Sequence, residues 1–456
     1  MNRRRLLKAS AGFAVLGLSM PRALAAEGAL LGRAVAGAVN AQEFGIVPNA
    51  AKDQTEALAA LLERASAEDL PVFLPPGRYG LAGLHLPKRT RLLGVPGATR
   101  LVHGGNGPFV SGRDVERASF TGLVLDGGDL PLAGGAKALL ELRGVNDLAI
   151  DQCAIVGSGG SGIALERAAG RIERCAISGA AEYGLFSLDG HGLDIVANSV
   201  VDCGNGGVLI HRSTPGEDGT AVARNRIARI RADRGGTGQY GNGINAFRAD
   251  NVRVTDNQID DCAFSAVRGN SAGNIQINGN LCLRSGETAI YSEFAFQGAV
   301  IADNIVDGGA HGISLANFDK GGRLCVCSGN IVRNLSTSGP YPSPLAGFGA
   351  GISVEADSAV TGNLVENAPL CGIRIGWGPF LRNVTATGNI VRKSGIGIAI
   401  SVVEGSGSAV ISGNILEGTP GGAIVGTRWA DVATKDLAVV GAEGIAHLTV
   451  ENNRAS

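Results

Sequence analysis

Between residues 268 and 311 the sequence gathers side chains suited to moving protons on a sugar acid: Arg268, Tyr291, Glu293, Asp307 and His311. Abstracting the proton beside a uronate carboxylate needs a base of suitable pKa and a cation to hold the enediolate charge. Arg268 close to Tyr291 or His311 meets that need. Hydrolysis instead needs two carboxyl groups about 5 to 9.5 Å apart, a role open to Glu293 with Asp307, Glu287 or Glu355. Tyr240, Phe247 and Tyr291 offer ring faces for stacking, and Arg268 and Arg374 offer cations for carboxylates. His211, Asn245, Asn270, Tyr341 and Trp377 complete the candidate groove. No two of the 6 His sit at a metal-ligand spacing. No cofactor is expected, and calcium is the one ion left open.

Distant residues can share a site only if the chain is periodic, and it is. A small residue followed by an aliphatic one recurs with the aliphatic at Ile163, Leu185, Val208, Ile244, Val267, Ile290, Ile313, Ile352, Ile373, Ile398, Ile424 and Ile445. The separations are 21 to 26 residues, apart from two of 36 and 39. A second register of Asn runs in phase with it, from Asn225, Asn257 and Asn280 to Asn389 and Asn414, mostly within Gly-Asn-Ile or Gly-Asn-Leu. Such a repeat specifies stacked coils of short strands, each too small to bury its own apolar face. The Asn column is expected at a bend, with an αL-like backbone and a side-chain hydrogen bond to the next Asn.

Alternation along each strand after its marker aims the next residue, and the one two further on, outward. One column then reads Asn245, Arg268, Tyr291, Ser314, Ser353, Arg374, and its neighbour His211, Phe247, Asn270, Glu293, Ala316, Glu355. The two long separations hold insertions at Arg231 to Gly243 and Ser336 to Gly349. Four coils apart, they are placed to wall an open groove about 20 Å long.

The chain of 456 residues with 71 Gly and 4% aromatic side chains suits a fold of many tight turns. Arg3, Arg4, Arg5 and Lys8, the apolar run Ala11 to Leu18 and the site Ala23-Leu24-Ala25 form an export signal. Removing the five basic residues of this segment takes the formal charge from −1 to −6, which gives no electrostatic reason to expect nucleic acid. No later run is apolar and long enough to span a membrane, so no stable span is expected after cleavage. Eight Cys are too few for a disulfide scaffold; buried stacked thiols are the default, with bridges between coils left open.

Phe44-Gly45-Ile46, Asp53-Gln54-Thr55 before a helix, and Leu74-Pro75-Pro76-Gly77-Arg78-Tyr79 resemble the opening of the pectate-lyase-like family of secreted and phage tailspike β-helices. The helix, expected from Asp53 to about Ala67 with Asp53 as N-cap, would shield the first coil. Asn2-Arg3-Arg4-Arg5-Leu6-Leu7-Lys8 resembles a twin-arginine signal. Joined to Asn-containing coils, it is similar to the bacterial twin-arginine-translocated β-helix repeat proteins. These resemblances imply an all-β, right-handed single-stranded parallel β-helix with an N-terminal capping helix. They further imply passage through the twin-arginine translocase, a periplasmic or extracellular location, and an acidic, uronate-containing polysaccharide as partner. The expected organisation is a signal at 1–26, cap and first coil at 27–92, coils at 93–430, and a last coil and cap at 431–456.

The motifs of polygalacturonases, alginate epimerases and pectate lyases are absent. The resemblance therefore leaves open a lyase or epimerase, placed ahead of a hydrolase, and a non-catalytic envelope or surface protein that binds polysaccharide or serves a structural role.

Overall fold

Strands of three to six residues with one aliphatic face cannot stand alone, and in the computed structural model they stack. The structure describes residues 37–105 and 107–456; the expected export signal with Arg3 and Arg4 lies outside them. Val39–Ser456 is one unit. Most coils contribute two strands to a 28-stranded sheet and one to a 15-stranded sheet, as in Thr288–Glu293, Gln297–Ala302 and Ile305–Gly309; in the coils of Val110–Thr121, Ala138–Asp151 and Ser161–Glu173 the first two run together as one long strand. Every coil-to-coil pairing is parallel and in the register set by the repeat: Ile163 pairs with Leu185, Leu185 with Val208, Val208 with Ile244, and so to Ile398 with Ile424. These aliphatics are buried in one continuous core. The twelfth marker departs from the column. Ile445 lies in irregular backbone, because an antiparallel hairpin, Ile424–Arg428 with Asp431–Asp436, follows the last aligned marker.

The Asn register becomes a hydrogen-bonded ladder. Asn198, Asn225, Asn257, Asn280, Asn304, Asn330, Asn363, Asn389 and Asn414 each donate from Nδ2 to Oδ1 of the next, ending on Asn453. The left-handed residue at this bend is the one before the Asn: Gly279, Gly329, Gly362, Gly388 and Gly413 have φ of 66 to 68°, and Asp256 and Asp303 57°. That explains Gly-Asn-Ile as a unit, with Gly supplying the backbone turn and Asn the bond. Asn304 is fully buried and takes part in five such contacts, among them Nδ2 to Ile277 O at 2.8 Å and Oδ1 from Asn280 N at 2.9 Å. Asn304→Ala removes the four bonds made by its side chain and is expected to cost about 2–4 kcal/mol, read as a lower urea midpoint.

The helix Thr55–Ala67 lays Leu58, Leu61, Leu62 and Ala65 on the first coils. Its N-cap position is Gln54 rather than Asp53. The Asp53 carboxylate still accepts from Thr55 N at 2.9 Å, while the Gln54 amide turns back to the Val47 backbone. All eight cysteines are buried and unbridged.

Candidate functional site

Strand register brings the candidate groups onto one face. Asn245 pairs with Arg268, Arg268 with Tyr291, Tyr291 with Ser314, Ser314 with Ser353 and Ser353 with Arg374. Beside this column His211 pairs with Phe247, Phe247 with Asn270 and Asn270 with Glu293. Asp307 is not among them. Its strand, Ile305–Gly309, belongs to the other sheet, where Asp307 meets Arg333 at 2.8 Å and Asn334 at 2.7 Å. The Asn334 hydrogen bond and the Arg333 charge hold its carboxyl below the usual range. Asp307 therefore cannot partner Glu293 across a sugar.

Outward did not mean exposed for Arg268 and Glu293, which are 8% and 3% exposed. Arg268 donates from Nε and Nη2 to the two oxygens of Glu293 at 2.7 and 2.9 Å, and from Nη1 to Glu287 at 3.2 Å and the Gly238 carbonyl at 3.0 Å. Asn270 Nδ2 adds a bond to Glu293 at 2.9 Å. The first insertion thus folds down over the strands and closes on Arg268, while the second reaches the same cluster through Tyr341, whose hydroxyl donates to Glu287. Burial raises Glu287 above the ordinary carboxyl range, with Arg268 and Tyr341 acting against the rise. Glu293 has both oxygens engaged by the Arg268 guanidinium, which leaves neither open to a ligand. The cluster instead ties both insertions to one floor.

That floor divides the face into two clefts. The first, of about 430 Å³, lies between the Thr237–Gln239 part of the first insertion and His211, Asn245, Phe247, Asn270 and Phe294. Tyr240 turns away from it, with Arg234 over its ring at 5.8 Å. The second, of about 260 Å³, is floored by Tyr291, Ser314, Ser353 and Arg374, walled by Tyr341, Pro344 and Phe348, and flanked by His311, Glu355 and Trp377.

Groups suited to proton transfer face the second cleft. Burial, with Asp319 nearby, pushes the Glu355 carboxyl up to about 7, although the Phe318 N–H bonded to it at 2.6 Å pulls the other way. Burial, and then the charge of Arg374, lowers His311 to about 4, so its ring is neutral at neutral pH. His311 Nδ1 lies 3.3 Å from Ala350 N and accepts there, which leaves the ring proton on Nε2. Burial raises the Tyr291 phenol, favouring the protonated form. Arg374 donates to Ala346 O at 2.7 Å and lies over the Trp377 ring at 5.6 Å. Among the described residues no group of three or more His, Cys, Asp or Glu side chains is placed to hold a metal ion.

The family model for right handed beta helix regions matches residues 216–391, which hold the whole second cleft and all of the first except His211. The chain is a right-handed parallel β-helix. Pre-mature gene product 12 of bacteriophage phi29 has a similar fold, with a TM-score of 0.63 at 14% identity over 91% of this chain and 60% of the phage protein. This β-helix therefore spans about three fifths of the length of that protein. The N-terminal fragment of the same phage protein gives 0.52 at 14% identity, over 91% of this chain and 76% of the fragment. A PL6 alginate lyase in complex with a trisaccharide gives 0.49 at 12% identity, over 92% of this chain and 95% of the lyase. Identities this low speak to the fold alone. A comparison with curated protein sequences finds no match.

Two features of the β-helix face lay beyond sequence reasoning. Phe294 enters the first cleft from a strand end with φ 58°, and Trp429 comes from the C-terminal hairpin; neither position has a repeat signal. His211 is held between Phe186 and Phe247, at 5.2 and 5.4 Å between ring centres, with Nε2 unpartnered among the described residues. Burial lowers it to about 4. The unfolded chain therefore gains a proton near pH 6.5 while the folded one stays neutral, so stability is lost as pH falls from there toward 4. His211→Phe keeps the stack and is expected to recover about 1–2 kcal/mol at pH 5, with little effect at pH 8, by urea titration at both pH values.

Proposed function

We propose that this face binds an acidic polysaccharide lengthwise and that the second cleft breaks or epimerises it by proton transfer at a uronate unit. The observation that carries this reading is the lining of that cleft, where a proton-exchanging carboxyl (Glu355), a protonated phenol (Tyr291), a neutral imidazole (His311) and a guanidinium (Arg374) meet. In elimination, Arg374 holds the uronate carboxylate and takes up the enediolate charge. Glu355, as carboxylate, removes the proton beside it. Tyr291 gives its proton to the departing glycosidic oxygen, leaving an unsaturated end and a new reducing end; Glu355 then releases the proton it took to water, and water returns one to the phenolate. Epimerisation uses the same abstraction, with the proton returned to the opposite face of the ring.

Hydrolysis ranks lower, because Glu293 is engaged by Arg268 and Asp307 lies on the other sheet. The proposal includes export through the twin-arginine translocase, on Arg3 and Arg4, to a periplasmic or extracellular setting where such polymers occur.

The test is incubation of the protein with polymannuronate, polyguluronate and polygalacturonate, following ultraviolet absorbance of unsaturated ends, reducing ends, and exchange of the ring proton in deuterated water. Absorbance and reducing ends rising together establish a lyase, exchange alone an epimerase, and reducing ends alone a hydrolase. Silence in all three, with binding retained, leaves a non-catalytic polysaccharide-binding protein. That second reading draws support from the Arg268–Glu287–Glu293 cluster, which spends its charges on internal contacts.

A further inference from the structure

The C-terminal hairpin places Trp429 in an unfavourable backbone state. Arg428 pairs with Asp431, so the loop is Trp429-Ala430, and Trp429 has φ 57°. Two-residue hairpins give such positions to Gly or Asn, and a bulky side chain there is an outlier. Asp, Asn, Arg and other small or polar residues make up nearly all the non-glycine positive-φ residues among the described ones; the large apolar ones are Phe294, Leu324 and Trp429.

Ordinary core packing does not account for Trp429, which remains 44% exposed. Its ring meets Trp377 edge to face, with centres 5.6 Å apart. It also lies against Gly378, where an added Cβ would sit 2.3 Å from the indole. Trp377 in turn flanks the second cleft and carries Arg374 over its own ring at 5.6 Å. The antiparallel turn near the C-terminus thus sets an indole against Trp377 and Gly378, beside the cleft. A local conformational cost kept at a half-exposed position next to a cleft points to a ligand contact.

We infer that Trp429 and Trp377 form an aromatic subsite for a pyranose ring of the bound chain, one that follows the unit whose carboxylate meets Arg374. Indole faces stack on the C–H face of a sugar and offer a broad, rigid surface with few rotatable bonds. This inference rests on the proposed binding of an acidic polysaccharide and adds to it a direction and a minimum length. A short oligouronide fills the cleft up to Trp377, whereas a longer one also reaches Trp429.

The chain has 2 Trp in all, and both belong to this pair, so intrinsic fluorescence reports the subsite directly. The experiment titrates the full chain, Trp429→Ala and Trp429→Phe with the disaccharide and octasaccharide of polymannuronate and polygalacturonate, by calorimetry and tryptophan emission. The expected result is an emission change with the octasaccharide. The gain in affinity from disaccharide to octasaccharide should shrink about tenfold in Trp429→Ala and less than about threefold in Trp429→Phe. If the octasaccharide binds with heat but neither shifts emission nor distinguishes Trp429→Ala from wild type, the subsite is refuted and the cleft reading stands. Absence of heat with every oligosaccharide overturns both.

Discussion

Glu355→Gln is expected to lower turnover of a uronate polysaccharide by about 10²–10⁴-fold while making the protein more stable above neutral pH. The two effects share one cause. A carboxyl raised to about 7 in the fold and ordinary when unfolded keeps its proton longer in the folded state. Between about pH 4.5 and 7 the folded form loses that advantage as pH rises, and above 7 the fold carries a buried carboxylate at a cost of about 2–3 kcal/mol. Gln removes that cost and still accepts from the Phe318 N–H. In the proposed mechanism the same carboxylate abstracts the proton, so wild-type kcat/KM should rise through an apparent pKa near 7. Rate profiles and urea midpoints at pH 6 and 8 check both halves. A variant that loses stability at pH 8, or keeps full activity, would remove Glu355 from the mechanism.

Arg268→Met is expected to destabilise the fold by about 3–5 kcal/mol, since it leaves Glu287 and Glu293 buried without their cation. Both carboxylates are at most 3% exposed, so water cannot take over. The loss should also be local. Arg268 is the donor to Gly238 in the first insertion and the partner of Glu287, which anchors Tyr341 in the second. Limited proteolysis of Arg268→Met should therefore cut within 231–243 and 336–349 before the coils melt. The triple variant Arg268→Met, Glu287→Leu, Glu293→Leu should regain much of the midpoint, because the net worth of a buried ion cluster is small once no charge is left alone. If the single variant melts with wild type, the cluster does not tie down the insertions.

The strand phase, the outward columns and the Asn ladder were legible because all three follow from one spacing. A small residue, an aliphatic, and an Asn at constant offset leave the stack no other register, as the pairing of Asn245, Arg268, Tyr291 and Ser314 illustrates. What the spacing does not encode is how an insertion folds back. Arg268 and Glu293 occupy outward positions and so read as solvent-facing; only the descent of Gly238 and Tyr341 buries them. Asp307 misled for a different reason. It was paired with Glu293 as one of two carboxyl groups, yet a coil changes sheets within the fourteen residues between them. Glu355 was legible as a column member, but its raised pKa comes from burial, with a smaller push from Asp319 in the turn at Phe318–Lys320, which no period announces.

The coil stack also sets the grain with which such a face can change. The strands after the two insertions, Asn242–Asp250 and Ala350–Val354, are separated by four pairing steps. Each step is fixed at about 4.8 Å by backbone hydrogen bonding. Sliding one insertion toward the other by part of a step would break every ladder between them, including the row of Asn amides. Duplicating or deleting a whole coil preserves all of them. The span that the proposed groove offers a polymer is therefore digital, adjustable in increments of nearly one sugar unit, and a lineage could retune chain-length preference by copying a coil without redesigning either wall.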